Sequence, residues 1–131
     1  MDKWKIKKHE DSVPKKILFG DSQNAMVYTL FTRKDGMKKF SVKKYIIGPQ
    51  GRISEHIHPW EHFFYILAGS GTIQESSQHD IQTHIASPGK AFYLPAYFKH
   101  QLINSSLMKP LIFLSVLPCE FDVVEEKYEC Y

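Results

Sequence analysis

Apolar and polar positions along this chain fall into short runs punctuated by turn residues, and the runs are rich in β-branched and aromatic side chains. MVYTLFTR at 26–33 and KKFSVKKYII at 38–47 flank Asp35-Gly36, which predicts two strands joined at a hairpin turn. Gly48-Pro49-Gln50-Gly51 is expected to break the second of them. HFFYILAG at 62–69 is the next strand, closed by Gly69-Ser70-Gly71 before TIQES. DIQTHIA at 80–86 alternates cleanly and ends at Ser87-Pro88-Gly89. AFYLP and HQLINSS follow, and LIFLSVLP at 111–118 is almost continuously apolar, as in a strand covered on both faces. Helical periodicity is nearly absent; VVEEKYEC at 123–130 suits a turn or two. The pattern predicts an all-β sandwich or barrel.

A chain of 131 residues fits one compact domain, and 43% hydrophobic with 24% charged residues excludes disordered and collagen-like classes. The net charge of +3 is mild, and much of the excess sits in the first sixteen residues, on Lys3, Lys5, Lys7, Lys8, Lys15 and Lys16. No interleaving of aromatic and basic residues follows, so this block reads as a solvated leader or ragged first strand and not as a nucleic-acid arm. We divide the chain into a basic extension with a first strand at 1–25 and one barrel domain at 26–131. There is no apolar signal segment and no run near the roughly 20 residues that span a bilayer, so a soluble cytoplasmic protein without membrane contact is expected. Cys119 and Cys130 lack the close spacing of a zinc pair; a disulfide between them is open to the sequence, though a cytosolic protein more often keeps such thiols reduced.

The chemistry concentrates in SEHIHPWEHFFYILAGSG at 54–71. Residues two apart on a strand project to one face, so His56 and His58 point together. Pro59-Trp60 bends the chain, and if pairing resumes in register His62 returns to that face while Glu55 and Glu61 face away. Three imidazoles on one face repel when protonated and need partners when buried and neutral; one divalent ion satisfies all three nitrogens. A fourth ligand is sought in GKAFYLPAYFKHQLIN at 89–104, where His100 can lie beside the first stretch in an antiparallel sheet. His9, His79 and His84 stand outside this pattern and read as surface residues. Trp60, Phe63, Phe64 and Tyr65 read as core or interface aromatics.

These two stretches resemble the two motifs of the cupin superfamily. Gly89, Pro95, His100 and Asn104 match the second motif at each interval. His56, His58 and Gly69 match the first (51–71), whose glutamate position falls on His62, and Gly51 stands one residue closer to His56 than the family's glycine. The HPWEH wording resembles small single-domain cupins that use four histidines. Tyr97 replaces the second-motif glycine, a position that usually serves a positive-φ turn, so that turn is expected to differ. The resemblance implies a double-stranded β-helix, or jelly-roll barrel, with a short N-terminal extension. It also implies one divalent transition-metal ion on His56, His58, His62 and His100.

Manganese, iron, nickel, copper and zinc all accept imidazole, and the ligand set does not choose among them. Four neutral ligands leave the ion its full charge, which favours an anionic or enolisable small molecule and, with two open positions, O₂. The expected function is therefore a metal-dependent oxygenase acting on a small oxygenated molecule. The alternative is a non-catalytic module that binds or senses a ligand or the metal. Leu111 to Leu117, with Phe63 and Tyr65, offers more apolar surface than one small barrel interior needs, so a homodimer is expected.

Overall fold

The computed structural model describes residues 3–121, and the regular structure among them is β-strand apart from three single turns of 3-10 helix. The expected helical turn at 123–130 and Cys130 lie outside the described residues. In chain order the strands begin with β1 (Lys15–Lys16), β2 (Gln23–Phe31) and β3 (Phe40–His56). There follow β4 (His62–Ala68), β5 (Gly71–Ser76), β6 (Ile81–Ala86) and β7 (Ala91–Leu94). The last are β8 (Lys99–Ile103) and β9 (Leu111–Pro118). They form one curled antiparallel sheet in the order β6-β5-β8-β3-β9-β4-β7, with β2 paired to β3 and β1 to β2. This is the jelly-roll form.

The first predicted turn is longer than a two-residue hairpin. Thr32 and Asp35 cap each other around the helical turn Arg33–Asp35, and Gly36 closes it at φ 96°. That solution uses glycine where a left-handed residue is required. β1 and the buried Ile17 tie the N-terminal extension to β2.

Gly48 to Gly51 does not end a strand, contrary to expectation. β3 runs through it for 17 residues, pairing with β2 and β9 along 40–47 and with β8 from Arg52 onward. Two steps on β2, from Ala25 to Gln23, are met by five on β3, from Ile47 to Arg52, so the extra residues bulge out. Gln50 takes φ 59°, and a Cβ on Gly51 would lie 2.7 Å from the Gln23 carbonyl oxygen. Such a bulge bends the strand and raises its twist, which carries β3 from one half of the barrel to the other. Asn104, fully buried, pins the corner: its Nδ2 donates to the carbonyls of Ile47 (3.0 Å), Gly48 (3.1 Å) and Lys109 (2.8 Å).

The inner face carries the core, including Tyr45, Ile47, Phe64, Ile66, Leu111 and Phe113, with Tyr45 and Phe113 stacked at 5.1 Å. Burying each such side chain is worth roughly 1.5–3 kcal/mol. The same inward parity then turns polar, because Ser41, Lys43 and Ser115 are also buried. β9 is covered on one face only: Leu111, Phe113, Ser115 and Leu117 are buried, whereas Ile112, Leu114 and Val116 are half-buried. Beside them on the outer face, Phe63, Tyr65 and Leu67 of β4 are about 40% exposed. β6 likewise turns its apolar set outward, with Ile81 and Ile85 exposed.

Candidate metal centre

His56 ends β3, His62 opens β4, and His100 lies on β8 as the direct cross-strand partner of His56. His58 sits in the connecting loop, so its convergence with His56 comes from the loop and not from strand pleating. Pro59 cannot extend the ladder, and the Tyr97 N–H donates to the His58 carbonyl at 2.9 Å, which holds the loop. Tyr97 itself adopts φ 67°, so the left-handed turn persists without glycine, against expectation. The phenol points outward and is exposed.

Three rings share one arrangement. Nδ1 of His56, His58 and His100 faces the carbonyl oxygens of Ser54 (2.7 Å), Trp60 (3.0 Å) and Phe98 (2.9 Å). A carbonyl only accepts, so each Nδ1 carries the proton and each Nε2 keeps its lone pair; these tautomers follow from the partners. Ligand nitrogens of the three lie within 4.8 Å of one another. The Nε2 of His100 is buried with no hydrogen-bond partner. An orphaned acceptor beside two others is what a cation would complete, and a ring whose second nitrogen is held by a carbonyl is the usual setting of a metal-bound imidazole. The donor set fits a divalent transition metal.

His62 stands differently. Its Nε2 accepts from the Trp60 indole N–H at 2.8 Å and also lies 2.8 Å from the His58 Nε2. With both of those nitrogens unprotonated, two lone pairs face each other. Its Nδ1 lies 3.0 Å from the Ser115 hydroxyl, and its ring centroid is 6.2 Å from that of His100. The structure thus gathers His56, His58 and His100 and sets His62 against His58 and Trp60.

Burial lowers the pKa of all four rings. His58 falls to about 4 and His100 to about 3, with a smaller push from the His56 charge in each case. His56 is lowered by burial, and His62 goes well below the ordinary value through burial, then its histidine neighbours, then Lys43. The rings are neutral at neutral pH, which is the form that ligates.

Trp60, read from the sequence as core or interface, is fully buried and stacks on His58 at 4.3 Å with the rings 2° from parallel. Its bond to His62 was not legible. Ser115 and Lys43 were also missed, although a polar residue at inward parity within an apolar strand was the available signal. Glu61 faces away as expected, accepting from the Tyr93 hydroxyl on the outer surface.

A cavity of about 320 Å³ opens beside His100, walled by Ile73, Phe92, Leu94, Pro95 and Phe98, with Glu75 and His84 also on its lining. A larger hollow of about 660 Å³ lies between the N-terminal segment and the β2–β3 connection. It is lined by Lys3, Lys5, Lys38 and Lys39 among others, and by none of the clustered histidines.

A family model described as "Cupin domain" matches residues 44–117, the span that contains all four histidines. Among solved structures, the polyketide cyclase RemF from Streptomyces resistomycificus is 25% identical with a TM-score of 0.80. That similarity covers 89% of this chain and 80% of RemF. An RmlC-like cupin from Shewanella frigidimarina superposes at a TM-score of 0.71 and 11% identity, over 93% of this chain and 96% of that one. Oxalate decarboxylase from Bacillus subtilis, described for its Mn(II) centres, gives 0.69 and 14%, over 90% of this chain and 31% of its own. No curated protein matches the chain.

Proposed function

The chain belongs to the cupin domain family, and on that premise we propose that it binds one divalent transition-metal ion through His56, His58, His62 and His100 and acts there on a small oxygenated molecule. The observation that carries this is the group of three rings, two buried and one half-buried, whose Nδ1 atoms are committed to carbonyls, with the buried His100 Nε2 left without a partner. His62 joins as fourth ligand by giving up the Trp60 N–H, a change that also relieves the lone-pair contact with His58. Such an ion, when bound, supplies a Lewis acid that polarises a carbonyl or acidifies a bound hydroxyl. The protein's own part is to hold four neutral donors and to wall the adjoining cavity with apolar side chains that exclude water.

Oxygenation is the simplest reaction for this set. The likeness to RemF favours a second reading, in which an enolisable chain is closed to a ring with no need of oxygen. A binding or sensing module without turnover is the third class. The test begins with metal analysis of untagged protein purified without chelators, followed by a panel of β-diketones, catechols and hydroxy acids in air and under argon. Oxygen uptake with product marks an oxygenase, product under argon marks enolate chemistry, and saturable binding alone marks a module. Sub-stoichiometric metal, unchanged by His100→Ala, would overturn the site itself.

The reading extends to assembly and setting. Phe63, Tyr65 and Leu67 on the outer face of β4, beside half-buried β9, form an apolar surface of the kind covered when two copies pair, so we propose a homodimer. Among the described residues no helix is long and apolar enough to cross a membrane, and we propose a cytoplasmic protein whose Cys119 thiol is buried, donating to the Met37 carbonyl at 3.6 Å.

A further inference from the structure

The cavity beside His100 carries, within a mainly apolar wall, a hydrogen-bonded pair: His84 Nε2 lies 3.2 Å from a Glu75 carboxylate oxygen. Glu75 is the direct cross-strand partner of His100, and His84 that of the buried Ile73. Cross-strand partners share a face, and so do residues two apart on β5, so Ile73, Glu75, His84 and His100 all project to the concave side. On β6, Ile81 and Ile85 face solvent, while His84 shares the inward face with the buried core residue Ala86 and lines the cavity. The pair is partly exposed, and such pairs add little stability, so packing alone does not account for its place.

We propose that Glu75 and His84 form a second, metal-independent anchor in the ligand cavity, selecting a flat aromatic molecule that carries a hydroxyl remote from its chelating oxygens. This rests on the metal reading above, which supplies the first anchor. Glu75 accepts from the His84 Nε2–H, which orients the ring and leaves Nδ1 as its second polar atom for a ligand oxygen. A hydroxyl both donates and accepts, so it pairs with that nitrogen whichever way its proton sits, hence a phenolic or enolic hydroxyl. Phe92, Phe98 and Leu94 supply apolar walls for a ring system, and a cavity of about 320 Å³ is small, which limits it to one or two rings. His84 is then a specificity-determining residue and Glu75 the residue that positions it.

The test uses zinc-loaded full-length protein under argon and two probes, naphthalene-2,3-diol and its 6-hydroxy derivative, titrated calorimetrically alongside zinc analysis of each variant. In the wild type the extra hydroxyl should tighten binding about tenfold, the worth of one well-placed hydrogen bond. His84→Ala should make the two probes equal while zinc content and binding of the diol stay unchanged. Glu75→Gln should reduce the advantage without abolishing it, since an amide still orients the ring less firmly. With zinc bound, equal affinities in the wild type, or an advantage that survives His84→Ala, overturn the anchor and leave the metal site standing. A protein that holds no zinc overturns both.

Discussion

Three buried histidines and the half-buried His56 make the metal-free protein sensitive to acid, and the size of the effect follows from their depressed pKa values. Unfolded histidine protonates near 6.5, whereas His58 and His100 in the folded chain hold off until about 4 and about 3. Between those limits the unfolded state binds more protons, so stability rises with pH. The contribution is complete above about pH 6.5, is lost as pH falls below it, and is exhausted only once pH passes the folded values. At about pH 5 each of the two sites costs roughly 2 kcal/mol relative to pH 8, or roughly 4 kcal/mol together. Both rings are almost fully buried, so solvent screening removes little of this, and His56 and His62 shift in the same direction. Against a total stability of about 5–15 kcal/mol the loss is large. Urea titrations with chelator present, stepped from about pH 8 to 5, should show the midpoint falling at constant m-value. His100→Gln, which removes one titrating group, should flatten the slope by up to about 1.4 kcal/mol per pH unit. A metal-free protein as stable at pH 5 as at pH 8, or a slope unaffected by His100→Gln, would falsify the account of the buried rings. Saturating zinc should add about 2.7 kcal/mol at a hundredfold excess over Kd above pH 7, with the gain shrinking toward pH 5 as protons compete for the same nitrogens.

Asn104→Ala should cost about 2–4 kcal/mol in urea titration, since it strips donors from the Ile47, Gly48 and Lys109 carbonyls and an acceptor from the Ser106 N–H; a loss under 1 kcal/mol counts against its role at the corner. In competition with a chromophoric chelator, His62→Glu should retain zinc, His62→Ala should weaken it, and His100→Ala should weaken it at least as much. Trp60→Phe keeps the stack on His58 but frees the His62 Nε2, so it should bind zinc up to about tenfold more tightly than wild type. A weaker grip in Trp60→Phe would mean the indole bond supports the site and does not compete with it. Light scattering at micromolar concentration should give twice the 15.3 kDa chain mass, and a clean 15.3 kDa species refutes the dimer.

Much of this architecture is written in local alternation. HFFYILAG and LIFLSVLP read as strands because pleating needs only the nearest neighbours, and β4 and β9 lie within those runs. The histidine spacing and the intervals from Gly89 to Asn104 likewise pointed to one site, because the two motifs are short and each keeps its own geometry. The strand bounds and the corner were less accessible. Gly48 to Gly51 looked like a break, and whether such a segment ends a strand or bulges depends on partners far along the chain, here Gln23, Ser106 and Asn104. The same holds for β6, whose alternation fixes two faces but not which one meets the core; β5 and the cavity decide that His84 faces in. Residue types and spacing by themselves determined an all-β chain and singled out the histidines, of which His56, His58 and His100 come together. Only the tertiary structure decided the state of each ring, because burial, the carbonyls of Ser54, Trp60 and Phe98, and the indole held against His62 exist only once distant strands have closed around them.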